Sequence, residues 1–383
     1  MKHIKKLADN SAYNSFIKSP EYIWPNVSKT DSNLYYKKEE NNIIRYWAPT
    51  KLAETTSEKS QGLHTNLFNA TITSHTFENG IGTIVFDDDL TIIKNISATA
   101  SPAYGAFGGT NITNIILPKT ITSIGSFAFC NCIYLNKIEL TDIITYIGMT
   151  AFRGCTNLKQ KLKLPRLLSS INAYTFGECN FGGTLKISKK INSISTEGFY
   201  RTCFDNIIVD NENQYYDSRN NCNALINSSN VLIRASNNTI IPNNISEIKS
   251  QAFSDLTLNK ITSIKVPEGQ TYIPFIINCI NLETVELPST ITNNVNFCTI
   301  SNCPNLKTII MHATTPPTMS RPTDPVYVNS HINNGTKNSN GYFDCSSITI
   351  YVPDESVEAY KDTTVSDNFW RNYNIQPISS LNS

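Results

Sequence analysis

Neither sign of charge dominates this chain: 32 Lys and Arg stand against 31 Asp and Glu over 383 residues, for a formal net charge of +1. The charges are also interspersed, which argues against a general grip on a polyanion and against nucleic acid as a partner. No apolar run is long enough to span a bilayer, so membrane insertion is not expected. Met1 to Lys6 begin like the basic end of a secretion signal, but Leu7-Ala8-Asp9-Asn10-Ser11 follow where an apolar stretch belongs, so Sec export is not expected.

Catalytic signatures are missing too. The five histidines, His3, His64, His75, His312 and His331, lie in no HExxH, Cys-His or triad-like context. The glycines make no phosphate-cradling loop, and Gly125 and Gly148 read as turn positions needing positive φ. Cys130 and Cys132 form a C-x-C with no second pair or nearby histidine to complete four ligands. Asp87-Asp88-Asp89 lacks the alternating ligands of a calcium loop. No metal or cofactor is expected, and no pair of carboxylates is nominated for hydrolysis.

What the chain has is repetition. LPKTITSIGSFAFCNCIYLNKIEL from Leu117 is followed by TDIITYIGMTAFRGCTNLKQKLKL, ending at Leu164. The last apolar residue of a short strand-like stretch falls at Leu117, Leu140, Leu164, Ile187 and Val209, spaced 23, 24, 23 and 22 residues. The series resumes at Ile241, Val266, Leu287 and Met311, with spacings of 25, 21 and 24. An Ala-Phe or close equivalent keeps the same phase at Phe107, Phe129, Phe152, Phe176, Phe199 and Phe253, and cysteine does so at Cys132, Cys155, Cys179, Cys203, Cys279 and Cys303. The six cysteines read as small buried thiols.

Such a period predicts coils that stack on their own copies. In Leu135-x-x-Ile138-x-Leu140, Ile138 and Leu140 share one side of a strand and Lys137 and Glu139 the other. Pro118, Pro165, Pro267 and Pro288 end each strand by removing an N–H donor and fixing φ. One coil alone buries roughly five apolar side chains at about 1.5–3 kcal/mol each, against ordering costs of about 1–2 kcal/mol per residue. It fails alone, and several must stack.

These residues resemble the BspA-like (Treponema-type) leucine-rich repeat, whose pattern reads approximately LPxxLTxIGxxAFxxCxxLxxIxL. The resemblance implies a leucine-rich-repeat solenoid of short parallel strands with irregular or short helical return limbs. It covers about Thr83 to Ile378, with a hairpin-bearing insertion from Asn211 to Ile248 and a C-terminal cap from Ile348. The Ala-Phe signature fails between Ile291 and Tyr342, where an irregular turn is expected. The expected organisation is an attachment or capping segment over 1–62, the solenoid over 63–347 with a hairpin near 211–240 and a polar loop near 314–342, and a cap over 348–383.

The leader AYNSFIKSPEYIWPNVS resembles that of virion-associated proteins of tailed gut bacteriophages, of the form YxxFxxSxxYxxPNVS. Tyr13, Phe16, Tyr22 and Trp24 are the candidate attachment residues, and the same segment reads equally as a cover for the first coil. The resemblance implies contact with other virion proteins through this segment and display of the solenoid on the particle exterior to a host surface protein or glycan. A bacterial cell-surface or secreted adhesin and a glycan hydrolase of a phage appendage are the alternatives, and a homo-oligomer is compatible with each.

For the partner, outward strand positions form the row Ile116, Glu139, Lys163, Lys186, Ile208, Lys265, Glu286, Ile310 and Tyr351. Lys163, Lys186, Lys265 and Tyr351 are the candidate contacts. In the long polar loop, Tyr327, Asn329, His331 and Asn333 are the second set. The strand row reads somewhat better as an ordinary solvated sheet, and the loop set equally well as a passive surface loop.

Overall fold

A computed structural model describes residues 41–96, 103–253, 260–292, 299–318, 332, 333, 335, 345, 347–364 and 369–381. The fold is a parallel-strand solenoid. Its chain divides into two compact units: the described residues up to Phe181 with Ser193–Phe199, and Gly182–Asn192 with those from Tyr200 on.

In the first unit the coils contribute two sets of short strands. One set, Ile92–Ile93, Ser123–Ile124 and Tyr146–Ile147, pairs in parallel, as do Ser170–Ile171 and Ser193–Ile194. The other begins with Asn114–Ile116 and Lys137–Ile138, also parallel. Between the strands the chain returns through turns, with no helix in the described return limbs of this unit. Phe107, Phe129, Phe152, Phe176 and Phe199 fill the interior there. Their rings stack with centroids 5.3, 5.2, 5.7 and 5.9 Å apart and planes within 12° of parallel. Backbone hydrogen bonds run alongside the rings: Phe107 N–H donates to Ala128 O at 2.7 Å, Phe129 to Ala151 O at 2.7 Å and Phe152 to Thr175 O at 2.9 Å.

The cysteine column explains itself next to this ladder. Cys132 Sγ donates to Phe107 O at 3.0 Å, Cys155 to Phe129 O at 3.2 Å and Cys179 to Phe152 O at 3.1 Å. A thiol here is small enough for a dry interior and still supplies a weak donor to a buried carbonyl of the preceding coil.

Gly125 and Gly148 correct the sequence reading. Neither has a positive φ; a Cβ on Gly125 would collide with Lys94 O, and one on Gly148 with Ser126 N. Close approach of consecutive coils requires them. The left-handed positions are instead Phe127, Thr150 and Tyr174, with φ of 60°, 61° and 55°. The coils impose a conformation that a β-branched residue such as Thr150 would avoid on its own.

An antiparallel hairpin lies within the span assigned to the solenoid. Ile72–Glu78 and Ile81–Phe86 form an antiparallel hairpin across Asn79-Gly80, whose φ values of 52° and 82° fit the paired left-handed residues of a tight hairpin turn. Ile43–Trp47 lies between Ile81–Phe86 and Asn114–Ile116, antiparallel to both. Alternating residues around an Asn-Gly favour this hairpin over a repeat coil.

In the second unit, Thr184–Ile187 and Asn206–Val209 pair in parallel. Tyr216–Asp217, Leu225–Asn227 and Val231–Arg234 form antiparallel pairs where the sequence places its hairpin, and Glu247–Ile248 then resumes the parallel direction. Ile241 is therefore no strand end: it is half-buried beside Ile240, which is 73% exposed. Farther on, most of the stretch expected to be irregular lies outside the described residues. Ile276, Ile300 and Ile332 bridge in series from Phe253, taking the place of the rings, and Cys279, Cys303 and Cys345 are buried in the same core. After Thr349–Val352 come the helix Val357–Lys361 and the buried rings of Tyr360, Trp370 and Tyr373. Their polar atoms donate to Ala313 O, Pro317 O and Ile332 O at 2.8, 2.7 and 2.9 Å.

Candidate binding face

Five parallel strands of the second unit, Ser263–Lys265, Thr284–Leu287, Thr308–Met311, Thr349–Val352 and Asn374–Pro377, lie side by side. Period-two alternation buries Ile264, Val285, Leu287, Ile309, Met311, Ile350, Val352 and Ile375 on one side. The other side carries two columns in register. Ser263, Thr284, Thr308, Thr349 and Asn374 make the first; Lys265, Glu286, Ile310, Tyr351 and Gln376 make the second.

Lys265 Nζ lies 2.8 Å and His312 Nε2 3.0 Å from the same oxygen, Glu286 Oε1. Partial burial raises the Glu286 carboxyl, but hydrogen bonds from Lys265 and His312 outweigh it and hold the group below its ordinary value. The Thr284 and Thr308 hydroxyls make no side-chain hydrogen bond among the described residues, while Thr349 Oγ1 accepts from Asn374 Nδ2 at 3.1 Å. The result is a shallow strip of hydroxyls beside an ion cluster, an aliphatic side chain and an aromatic ring.

Lys265 and Tyr351 therefore share one sheet, with two strands between them. Lys186 is exposed on a separate two-stranded sheet, opposite Ile208. Lys163 belongs to the first unit, lies outside any strand and sits 3.4 Å from Asp142 Oδ1. Asn333 is corrected as a surface contact: it is 1% exposed, its N–H donates to Ile300 O at 2.8 Å, and its Oδ1 accepts from Gly335 N at 3.0 Å. It fastens a coil. Tyr327, Asn329 and His331, like Tyr13, Phe16, Tyr22 and Trp24, lie outside the described residues. Sequence reading missed His312 as a partner of Glu286; its place one residue past Met311, at the end of a strand, was the available signal.

One arrangement has the outline of a catalytic triad. Tyr46 Oη lies 2.7 Å from His75 Nε2, and His75 Nδ1 lies 2.7 Å from Glu54 Oε1. Tyr46 also accepts from Leu52 N at 3.2 Å and is 0% exposed, so its oxygen is closed to a substrate. Burial lowers the His75 pKa, with Glu54 opposing and Lys51 adding to the shift. A cavity of about 420 Å³ lined by Asn220, Cys222, Ile240, Ile241, Pro242, Asn243 and Asn244 contains neither carboxylate nor histidine. Among the described residues no cluster of His, Cys, Asp or Glu could hold a metal.

Six copies of the BspA type leucine rich repeat region match residues 103–226 and 233–319. No curated protein matches the chain. Among solved structures it is similar to the pneumococcal vaccine antigen PcpA, at 15% identity over 89% of this chain and 98% of that one, with a TM-score of 0.46. A leucine-rich repeat protein from Eubacterium ventriosum matches at 20% identity over 71% and 77% of the two chains, TM-score 0.45. A leucine rich cell surface protein from Faecalibacterium prausnitzii matches at 18% identity over 86% and 90%, TM-score 0.42. Repeats matched over more than half its length, in phase with the stacked rings and thiols, place this chain in the BspA-type leucine-rich-repeat family.

Proposed function

We propose that this protein is a non-enzymatic recognition protein that engages a host surface protein or glycan through the outward side chains of its strands, displayed on the exterior of a bacteriophage particle and joined to other virion proteins through residues 1–62. The observation that carries the recognition reading is the five-strand face of the second unit. Core packing fixes its inward positions, while Lys265, Ile310 and Tyr351 are free of that constraint and differ from strand to strand. The phage-like leader motif over residues 13–28 supports the virion reading.

Proteomics on purified particles tests delivery. The protein is expected among virion components; its presence in host envelope fractions and absence from particles would move the proposal to a bacterial surface adhesin. Binding of the full chain to host cells tests the face. Lys265→Gln with Tyr351→Ala should weaken binding by about tenfold or more, as loss of an aromatic anchor does, at unchanged thermal stability. Equal binding by the double variant would remove this face, and sustained release of reducing sugar from host glycan would overturn the non-enzymatic reading.

A further inference from the structure

The coil between Leu140 and Leu164 is one residue longer than the coil before it, and the extra residue has a visible consequence. Leu135 to Leu140 takes five steps; Leu158 to Leu164 takes six. Gln160 occupies the surplus. Its Oε1 accepts from Ile138 N at 3.3 Å and its Nε2 donates to Ile138 O at 2.7 Å, so a side-chain amide stands where a neighbouring backbone would pair. This is the logic of a bulge, which re-aims the side chains around it.

Those side chains are cationic. Leu158 and Leu162 are buried while Lys159, Lys161 and Lys163 are all exposed, so every second residue of this stretch presents an ammonium group to solvent. Arg166 follows at the next turn and is also exposed. Elsewhere Lys189, Lys249, Lys260 and Lys265 each have a carboxylate within 2.8 Å. Lys159, Lys161 and Arg166 have none among the described residues, and Lys163 has only Asp142 at 3.4 Å. Ile143 and Leu167, 41% and 45% exposed, flank the strip, and Leu167 N–H ties back to Asp142 O at 3.2 Å.

We propose that Lys159, Lys161, Lys163 and Arg166 form a binding strip for a linear anionic polysaccharide, one carrying a carboxylate at regular intervals. The chain-wide balance of charge does not extend to this segment. A line of cations of which, among the described residues, only Lys163 has a carboxylate neighbour fits a repeating anion, and the flanking aliphatic side chains fit the C–H faces of sugar rings. Nucleobases would need a ring to stack on, and residues 158–167 contain no aromatic. This assignment rests on the recognition reading above but uses a different unit of the protein.

The test is binding of the full chain to immobilised polygalacturonate, neutral dextran and oligothymidylate. Expected is binding to polygalacturonate alone, weakened about tenfold or more between 50 and 200 mM salt, and lost in Lys159→Gln/Lys161→Gln/Lys163→Gln. Lys189→Gln/Lys190→Gln should bind like the parent. Equal binding by the triple variant, no binding to polygalacturonate at low salt, equal binding to neutral dextran, or tighter binding to oligothymidylate would each overturn the strip. Host-cell binding that still depends on Lys265 and Tyr351 would then leave the recognition reading standing.

Discussion

Replacing Phe152 tests whether stacked rings or only apolar volume hold the first unit together. Phe152 is 0% exposed and lies between Phe129 at 5.2 Å and Phe176 at 5.7 Å. Phe152→Ala removes the whole buried side chain and both stacks, a loss of about 3–5 kcal/mol. Phe152→Ile removes the stacks but keeps much of the volume. The second unit shows that isoleucine fits this kind of slot, since Ile276 and Ile300 continue the column from Phe253. Two ring pairs at about 0.5–1.5 kcal/mol each give an expected cost of roughly 1–3 kcal/mol for the isoleucine variant. Urea unfolding followed by circular dichroism reads the total, and amide exchange locates it. Phe129, Phe152 and Phe176 N–H, which donate across coils, should lose protection first. An alanine variant costing under about 1 kcal/mol, or an isoleucine variant as costly as alanine, would refute the ladder as the source of stability.

Two further outcomes follow from buried titratable groups. Burial pushes the Cys132 thiol up to about 12 and raises Cys155 well above its ordinary value, so neither should react with a thiol reagent at neutral pH until the chain is unfolded; rapid labelling of the native protein would contradict the packing. His75 is held below 6.5, chiefly by burial, so the unfolded chain binds a proton that the folded one refuses. Its contribution is intact above 6.5 and is lost as pH falls below that value. His75→Gln should flatten the decline of melting temperature between about pH 6.5 and 5, and an unchanged decline would remove His75 as its source.

Interior positions were legible in the sequence because each touches its own copies. A residue that must stack on its equivalent in the next coil is held to one size and polarity, so Phe129, Cys155 and Leu140 announce themselves by period alone. Positions whose role depends on a single neighbour were not legible. Gly148 repeats in phase, but its cause is the backbone of Ser126, which sequence cannot display. Asn333 lay in a polar stretch that looks like surface, yet its amide is used inside a coil. The spacing of 24 before Leu164 was visible, but not that Gln160 absorbs the difference, and so Lys163 was singled out without Lys159 and Lys161.

The geometry of the stack also dictates where charge can gather. Neighbouring strands lie about 4.8 Å apart, whereas same-side residues along one strand lie about 6.6 Å apart. At an effective dielectric of 20, two like charges repel by about 3.5 kcal/mol at the first distance and about 2.5 kcal/mol at the second. Registered neighbours behave accordingly: Lys265 faces Glu286, Lys186 faces Ile208, and Lys137 faces Asn114, with no cation opposite a cation among the described strand pairs. A ladder kept in register therefore dilutes charge across coils, whatever its ligand. Concentrating cations requires running them along one segment of chain outside the registered strand pairs, as Lys159, Lys161 and Lys163 do where the Gln160 side-chain amide meets the backbone of Ile138. In a stack of this kind, an in-frame insertion of one residue beside an alternating run of one charge is a stronger mark of a binding strip than any outward residue of a regular coil.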